Sequence, residues 1–301
     1  MNFHNIVDQI SNRSAFQKKR LNSYLATCDD TFFHQADDFV LRYEEFLAKR
    51  QIPMDYAVDA YLKMCSNMLR CQVEYLRSGR YPKVTAEQAK QAVYESETEM
   101  LSYMVGLGLS QFLWPTHYQM FSFFKKVIYD EAKSVSSYLE IGPGHGLYME
   151  YALSKLHKVD VAVAIDISST SLELSRSIIQ YFIPKKKEVE FVLGDVTKTD
   201  FDRHFDFITM GEVLEHVNQP KVLLKQLKKL LAPGGKAFVS TCANSPAIDH
   251  VVQFDNVKQM RELIISAGLT ILVDLPLPVE SMSVKEAEVE RVTINYCALL
   301  E

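Results

Sequence analysis

Apolar residues follow two different periods along this chain, and the change from one to the other falls near residue 134. Before it, Phe39, Val40, Tyr43, Phe46 and Leu47 recur at the spacing of an amphipathic helix, with Asp37 and Asp38 at the front, where a helix dipole favours acidic groups. Pro53 opens a second helix, whose stripe of Tyr56, Ala57, Ala60, Tyr61, Met64, Met68 and Leu69 ends at Gly79. Tyr81-Pro82 reads as a connector, and a third helix is predicted from Ala86 to about Gly106, with Glu95, Glu97 and Glu99 on solvated positions. Beyond residue 134 short apolar runs take over, at Tyr138–Ile141, Val161–Ile165, Val189–Leu193, Phe205–Thr209, Lys236–Ser240, Thr270–Asp274 and Val289–Tyr296. Helical stripes separate them: Leu147, Tyr148, Tyr151, Ala152 and Leu156; then Leu172, Leu174, Ile178 and Ile179; then Val222, Leu223, Leu227, Leu230 and Leu231; then Asn256 to Ala267. Strands alternating with helices imply a parallel sheet covered on both faces. The chain thus divides into an all-helical part, 1–134, and an α/β part, 135–301, and with no glycine-, proline- or serine-rich linker between them the first is expected to dock on the second.

Chemistry concentrates where the first strand stops. Gly142, Gly144 and Gly146 stand at alternate positions between that strand and a helix, so the backbone can approach a ligand closely and the helix offers free N–H groups. Glu140 lies just before the turn, Asp166 ends the second strand twenty residues beyond Gly146, and Gly194-Asp195-Val196 follows the third. An acidic residue at the position of Asp166 is placed to take ribose hydroxyls.

With these corners in order, residues 138 to the C-terminus resemble the class I S-adenosylmethionine-dependent methyltransferases. The resemblance implies a Rossmann-like, doubly wound seven-stranded sheet with the last strand antiparallel between the fifth and sixth, joined to an all-helical N-terminal domain that acts as lid and specificity wall. It also implies S-adenosylmethionine as cofactor. Gly142, Gly144, His145 and Gly146 would cradle it, Glu140 would lie near its cationic amino-acid end, Asp166 with Ile167 would take the ribose, Asp195 with Val196 would read the adenine, and Gly211 and Glu212 would complete the site.

The acceptor side is less defined. The segment from Leu107 to Met120 carries the only tryptophan, Trp114, with His117 and Tyr118 close behind. Interdomain packing of Trp114 and Phe112 is one reading; the resemblance suggests instead that His117, Tyr118 and Trp114 line the acceptor side of the pocket, with His117 and Tyr118 as catalytic candidates. A base is needed only for a poorly nucleophilic acceptor, and His117, His145 and His216 are the candidates. Glu212-x-x-Glu215-His216 resembles a stretch of ubiquinone-biosynthesis O-methyltransferases and small-RNA 2'-O-methyltransferases. That likeness implies Glu212, Glu215 and His216 as ligands of Mg²⁺ or Mn²⁺, with His250 able to complete the set. Leu-Glu-His-Val is equally at home in methyltransferases without metal.

Composition narrows the partners. Forty-eight per cent hydrophobic and 24% charged residues suit a soluble globular protein, and with no spanning apolar run or signal-like start the chain reads as cytoplasmic, without a membrane partner. A net charge of −5 argues against nucleic acid. Lys225, Lys228 and Lys229 fall on a solvated helix face, and 185–187, three lysines, lies on the edge away from the crevice. Cys28, Cys65, Cys71, Cys242 and Cys297 form no paired motif and read as small buried side chains. The expected activity is methyl transfer to oxygen, less readily nitrogen, of a small or sugar-containing molecule, with homodimerisation through the helical part open. Three alternatives remain: a metal-assisted RNA 2'-O-methyltransferase, a nicotinamide oxidoreductase, against which the glycine spacing and final antiparallel strand speak, and a non-catalytic interaction protein, which would not need acids at every cofactor corner.

Overall fold

The computed structural model describes residues 1–81, 86–89, 95–183 and 188–301. Its centre is one seven-stranded sheet of β1 (Ser137–Ile141), β2 (Val161–Asp166), β3 (Val189–Leu193), β4 (Phe205–Gly211), β5 (Leu231–Ala243), β6 (Ile271–Pro278) and β7 (Ile294–Leu300), in the order β3-β2-β1-β4-β5-β7-β6. β1 to β5 pair in parallel, whereas β7 is antiparallel to both β5 and β6. The direction of strand order reverses between β1 and β4, and an open α/β sheet leaves a crevice beyond its strand ends at that point. Central strands read as unbroken apolar runs because both of their faces are covered; all seven residues of β7 are buried.

Twelve helices surround the sheet: α1 (Phe3–Arg13), α2 (Ala15–Leu25), α3 (Asp30–Lys49), α4 (Met54–Ser78), α5 (Ala86–Ala89), α6 (Glu97–Leu113), α7 (Pro115–Glu131), α8 (Leu147–Lys155), α9 (Ser169–Phe182), α10 (Pro220–Leu230), α11 (Val257–Ser266) and α12 (Val284–Glu290), counted among the described residues. Successive strand side chains alternate between faces, and the two faces have different covers. Tyr138, Phe207 and Phe238 join a core built with Phe46, Met104, Phe124, Met149 and Ile178, so the N-terminal helices share one continuous apolar interior with α8, α9 and the sheet. Leu139, Ile208 and Val239 face the other way, onto Leu223, Leu227, Met260 and Ile264 of α10 and α11.

Several elements depart from the sequence expectations for identifiable reasons. Asp37 and Asp38 sit inside α3, not at its front: Asp29 is the cap, accepting from the Phe32 N–H at 2.9 Å, while Asp37 accepts from the Phe3 N–H at 2.8 Å and ties α3 to the start of α1. Leu69 and Val222 are exposed, and Cys65, Cys71 and Tyr75 complete the buried side of α4 instead. The helix predicted from Ala86 is described in two pieces: α5 over Ala86–Ala89, and α6, which starts at the Ser96 cap and runs past Gly106 to Leu113; residues 90–94, the Pro82 connector and 185–187 lie outside the described residues. Val289 belongs to α12, because Ser283 and Glu286 form a reciprocal capping box that starts a helix where spacing alone suggested a strand. Gly79 and Gly268 end α4 and α11 with positive φ, as expected. All five cysteines are free, four of them buried, and among the described residues no helix is long and apolar enough to cross a membrane.

Candidate active site

A cavity of about 940 Å³ opens over the carboxyl ends of β1, β2 and β4 and under α6 and α7. Its floor is the glycine turn. The Gly142 N–H donates to the Ile165 carbonyl at 2.9 Å, Gly142, Gly144 and Gly146 all take positive φ, and Ser175 of α9 donates to the Gly144 carbonyl at 3.0 Å. A Cβ on Gly146 would stand 2.6 Å from Ile178 Cγ2 and 2.9 Å from Ser175 Cα, so the turn is glycine here because α9 closes on it. His145 turns inward, and its Nδ1 accepts from the Leu147 N–H at 3.1 Å, satisfying the first donor of α8. Burial lowers the His145 pKa to about 4, leaving the ring neutral with its remaining proton on Nε2; the Gln111 carboxamide, 3.4 Å away, must then turn its oxygen rather than its nitrogen to that proton. That use of its lone pair removes His145 as a base.

Three carboxylates stand around this floor in different states. Glu140 is buried beside the Tyr138 hydroxyl, and burial pushes its pKa up to about 8, although the Tyr138 hydrogen bond works the other way. Asp166 is likewise raised by burial, to about 6, against N–H donors from Ser168, Ile167 and Gly144; Ser168 lies 2.8 Å away. Asp195 is more exposed. Burial raises its pKa, but donation from the Thr197 hydroxyl at 2.7 Å and N–H at 2.9 Å and the Lys198 ammonium at 3.0 Å bring the net shift below the ordinary value. Its carboxylate therefore serves the local turn as well as the rim. Ile167 and Leu193 leave apolar side chains exposed at the edge, and buried Val196 lies between them and the interior.

The opposite wall belongs to α6 and α7. Met100, Met104, Leu107 and Gln111 lie on one face of α6, at i, i+4, i+7 and i+11, and His117 and Met120 of α7 complete it with Tyr103 and Tyr148. His117 is buried; its Nδ1 lies 2.7 Å from Ser110 Oγ, its ring packs edge-on against Trp114 at 4.6 Å, and burial, with His145 nearby, lowers its pKa to about 3. Tyr118 is a correction. It points away from the cavity into the aromatic cluster of Phe32 and Phe112, its hydroxyl 3.5 Å from Gln35, because one position on from His117 rotates a side chain to another helix face. Trp114 is packing too, donating to the Tyr61 hydroxyl at 2.9 Å.

The proposed metal set is also rearranged. Glu212 follows β4 with φ +52, held by its N–H donating to the Ser240 carbonyl at 3.0 Å, and its Oε1 is buried without a protein partner. Burial and the neighbouring Glu215 hold its pKa well above the carboxylate range. Glu215 points into the fold, accepting from the Thr241 hydroxyl at 2.8 Å, with its pKa raised to about 7 by burial. His216 does line the cavity, its Nδ1 3.1 Å from the Asp249 carbonyl and its ring 4.8 Å from that of His250. Among the described residues the groups that converge are Glu215–Cys242–His250 and His216–Asp249–His250. Glu212 belongs to neither, so Glu212, Glu215 and His216 do not form one ligand set: although Glu215 and His216 approach to 4.0 Å, Glu215 groups with Cys242 and His250, and His216 with Asp249 and His250. Sequence reasoning missed Met100, Tyr103, Met104, Gln111 and Asp249; the single-face spacing on α6 was the available signal for Met100, Met104 and Gln111, and nothing in the sequence marks Asp249.

The strand order, the glycine turn after β1 and the acids at the next strand ends define the class: a class I S-adenosylmethionine-dependent methyltransferase. Residues 116–267, half of the chain, match the methyltransferase-domain family, and the chain belongs to that family. The ubiquinone biosynthesis O-methyltransferase, mitochondrial, of Candida albicans is 36% identical over 104 residues, 34% of this chain and 31% of that protein. The Idiomarina loihiensis ubiquinone biosynthesis O-methyltransferase is 30% identical over 105 residues, 34% of this chain and 41% of that protein. The chain thus matches less than half the length of these curated relatives. Among solved structures, human N-acetylserotonin methyltransferase in complex with SAM superposes with a TM-score of 0.54 at 15% identity, covering 82% of this chain and 70% of that one. The N-methyltransferase NodS from Bradyrhizobium japonicum WM9 gives 0.51 at 17%, covering 69% and 96%. At those identities the likeness is of fold alone.

Proposed function

We propose that this methyltransferase acts on a hydroxyl oxygen of a small, largely apolar acceptor, with residues 1–134 forming the lid and specificity wall over a core of 135–301. The observation that carries this reading is one cavity whose sheet side holds the glycine turn and carboxylates while its helix side sets neutral His117 among thioether and apolar side chains. Lys198 is the one basic side chain among the described residues lining it, and it pairs with Asp195 at the sheet end. Among the described residues, α6 and α7 offer no lining cation to an acceptor with phosphate groups such as RNA. The names of the curated relatives, O-methyltransferases, support the choice of oxygen.

S-adenosylmethionine supplies an electrophilic methyl group on a sulfonium. The residues suit such a molecule: the glycines let the backbone approach it, Glu140 and Glu212 are carboxyl groups buried where a cation would ionise them, and Asp166 faces the cavity as an acceptor for hydroxyls. Those groups bind and orient; His117 receives the hydroxyl proton at Nε2. Burial keeps the ring neutral before transfer, so that a ring lone pair is free to accept. Water exclusion by Met100, Met104 and Met120 supplies the remaining alignment. Titration with S-adenosylhomocysteine, then mass spectrometry with a deuterated methyl donor over paired phenols, aliphatic alcohols and amines, tests the reading. Methylated phenols or alcohols are expected; faster labelling of the amines would overturn the choice of oxygen.

A further inference from the structure

We infer that Ser110 is a positioning residue that locks the His117 imidazole in its Nδ1–H tautomer, so that the ring presents the Nε2 lone pair to the acceptor. This rests on the role given to His117 above. Ser110 is fully buried in α6, and its Oγ lies 2.6 Å from the Leu107 carbonyl oxygen and 2.7 Å from His117 Nδ1. A serine hydroxyl has one proton and two lone pairs. The carbonyl can only accept, so the proton lies toward Leu107; otherwise two acceptor oxygens would face each other at hydrogen-bond distance. Oγ can then meet Nδ1 only as an acceptor, and Nδ1 must carry the hydrogen. A neutral imidazole with Nδ1–H has its free lone pair on Nε2.

The ring is braced as well as typed. Trp114 stands edge-on to it at 4.6 Å and is itself held by donation from Nε1 to the Tyr61 hydroxyl at 2.9 Å. His145 shows the converse arrangement in the same cavity: a backbone N–H donates into its Nδ1 at 3.1 Å, so the proton sits on Nε2. Two buried neutral histidines thus face one cavity as opposite tautomers, each set by its local donor or acceptor. In the transfer, the acceptor O–H breaks with its proton passing to His117 Nε2, the O–CH₃ bond forms, the CH₃–S bond breaks, and its electron pair stays on sulfur. The positive charge moves from sulfonium to imidazolium and the total is unchanged. A ring protonated on Nε2 could not take that proton.

The test uses the full chain with ¹⁵N-labelled histidine and two-bond ¹H–¹⁵N correlation, the His117 ring being assigned by its loss in His117→Gln. The wild type and Ser110→Thr are expected to show the Nδ1–H pattern at His117, and Ser110→Ala a mixture. Phenol, titrated as a hydroxyl probe with S-adenosylhomocysteine bound, should shift His117 Nε2; it should bind about tenfold more weakly to Ser110→Ala, the effect of one misdirected hydrogen bond, and recover in Ser110→Thr. S-adenosylhomocysteine affinity should be the same in all three. An Nε2–H pattern in the wild type, or an unmixed Nδ1–H pattern in Ser110→Ala, overturns the tautomer lock. The expected patterns with phenol leaving Nε2 unshifted overturn the acceptor role of His117 instead, and with it the positioning role.

Discussion

The two halves of the cavity are made of different materials. On the sheet side the surface is backbone: a turn with three glycines at positive φ, pinned by hydrogen bonds to β2 and α9. On the helix side it is side chain: one face of α6 and the first turns of α7, held by packing. A backbone surface has almost no freedom to vary without loss of the local fold, whereas a side-chain surface can be re-cut residue by residue. Substitutions at the glycines should therefore damage structure and binding together, and substitutions on the helix side chemistry alone.

The strongest test of that division is Gly146→Val. Both the positive φ and the approach of Ser175 Cα at 2.9 Å oppose any side chain, and a branched one forces α8 from α9. A loss of about 3–5 kcal/mol in urea unfolding, with S-adenosylhomocysteine binding abolished, is expected. Unchanged stability would mean that the turn is not rigid. Across the cavity, His117→Gln should lower kcat by about 10²–10³-fold while cofactor affinity and thermal midpoint stay near wild type. If both binding and stability fell with kcat, the two halves would not be separable.

The same contrast explains what could be read from the chain. Glu140, Asp166 and Asp195 were legible because each ends or nearly ends an apolar run, and parallel strand topology delivers such ends to one edge. The insertion of β7 between β5 and β6 was legible only through resemblance, since nothing local in Ile294–Leu300 states which strands it joins. His117 was distinguishable as unusual, yet its partner Ser110 was not, because a serine within an apolar helix gives no outward sign of what its hydroxyl meets. Tyr118 failed as a site residue for a rotational reason: adjacent helical positions differ by about 100°, so no more than one of the pair could face the cavity.

Asp166→Asn sharpens the sheet side next. The carboxylate accepts at the end of β2 and lines the cavity; the amide keeps the shape but loses charge-assisted acceptance. S-adenosylmethionine affinity should fall about 10- to 50-fold by calorimetry, with stability at neutral pH unchanged or slightly raised, because a buried carboxylate no longer has to ionise. A loss below twofold would remove Asp166 from the cofactor site.

Glu140 gives a smaller effect with a defined sign. Its folded pKa of about 8 exceeds the ordinary 4.5, so between those values the folded chain binds more protons than the unfolded one. The stability of the ligand-free protein should therefore fall as pH rises from about 4.5 to about 8 and level off above. A bound cation favours the ionised carboxylate, so cofactor affinity should climb over the upper part of that range, by about three- to tenfold per pH unit below 8. Glu140→Gln should make both trends shallower, leaving the part due to Asp166, Glu212 and Glu215. A wild-type affinity independent of pH would show that Glu140 does not face the cationic end.

The smallest expected change is the most discriminating for the helix side. Tyr118 shares α7 with His117 and is its immediate neighbour, so any disturbance of the helix as a whole would register at both. Its ring is fixed by Phe32 at 4.9 Å and Phe112 at 5.5 Å, contacts that phenylalanine retains, and its hydroxyl meets only the edge of hydrogen-bond range at Gln35, which Lys125 already engages at 3.0 Å. Tyr118→Phe should therefore leave kcat and KM within about twofold and unfolding free energy within about 0.5 kcal/mol, as expected of a weak, partly exposed hydrogen bond. A tenfold drop in kcat from this one oxygen would place the acceptor on the other face of α7, and the cavity under α6 could no longer be the site of transfer.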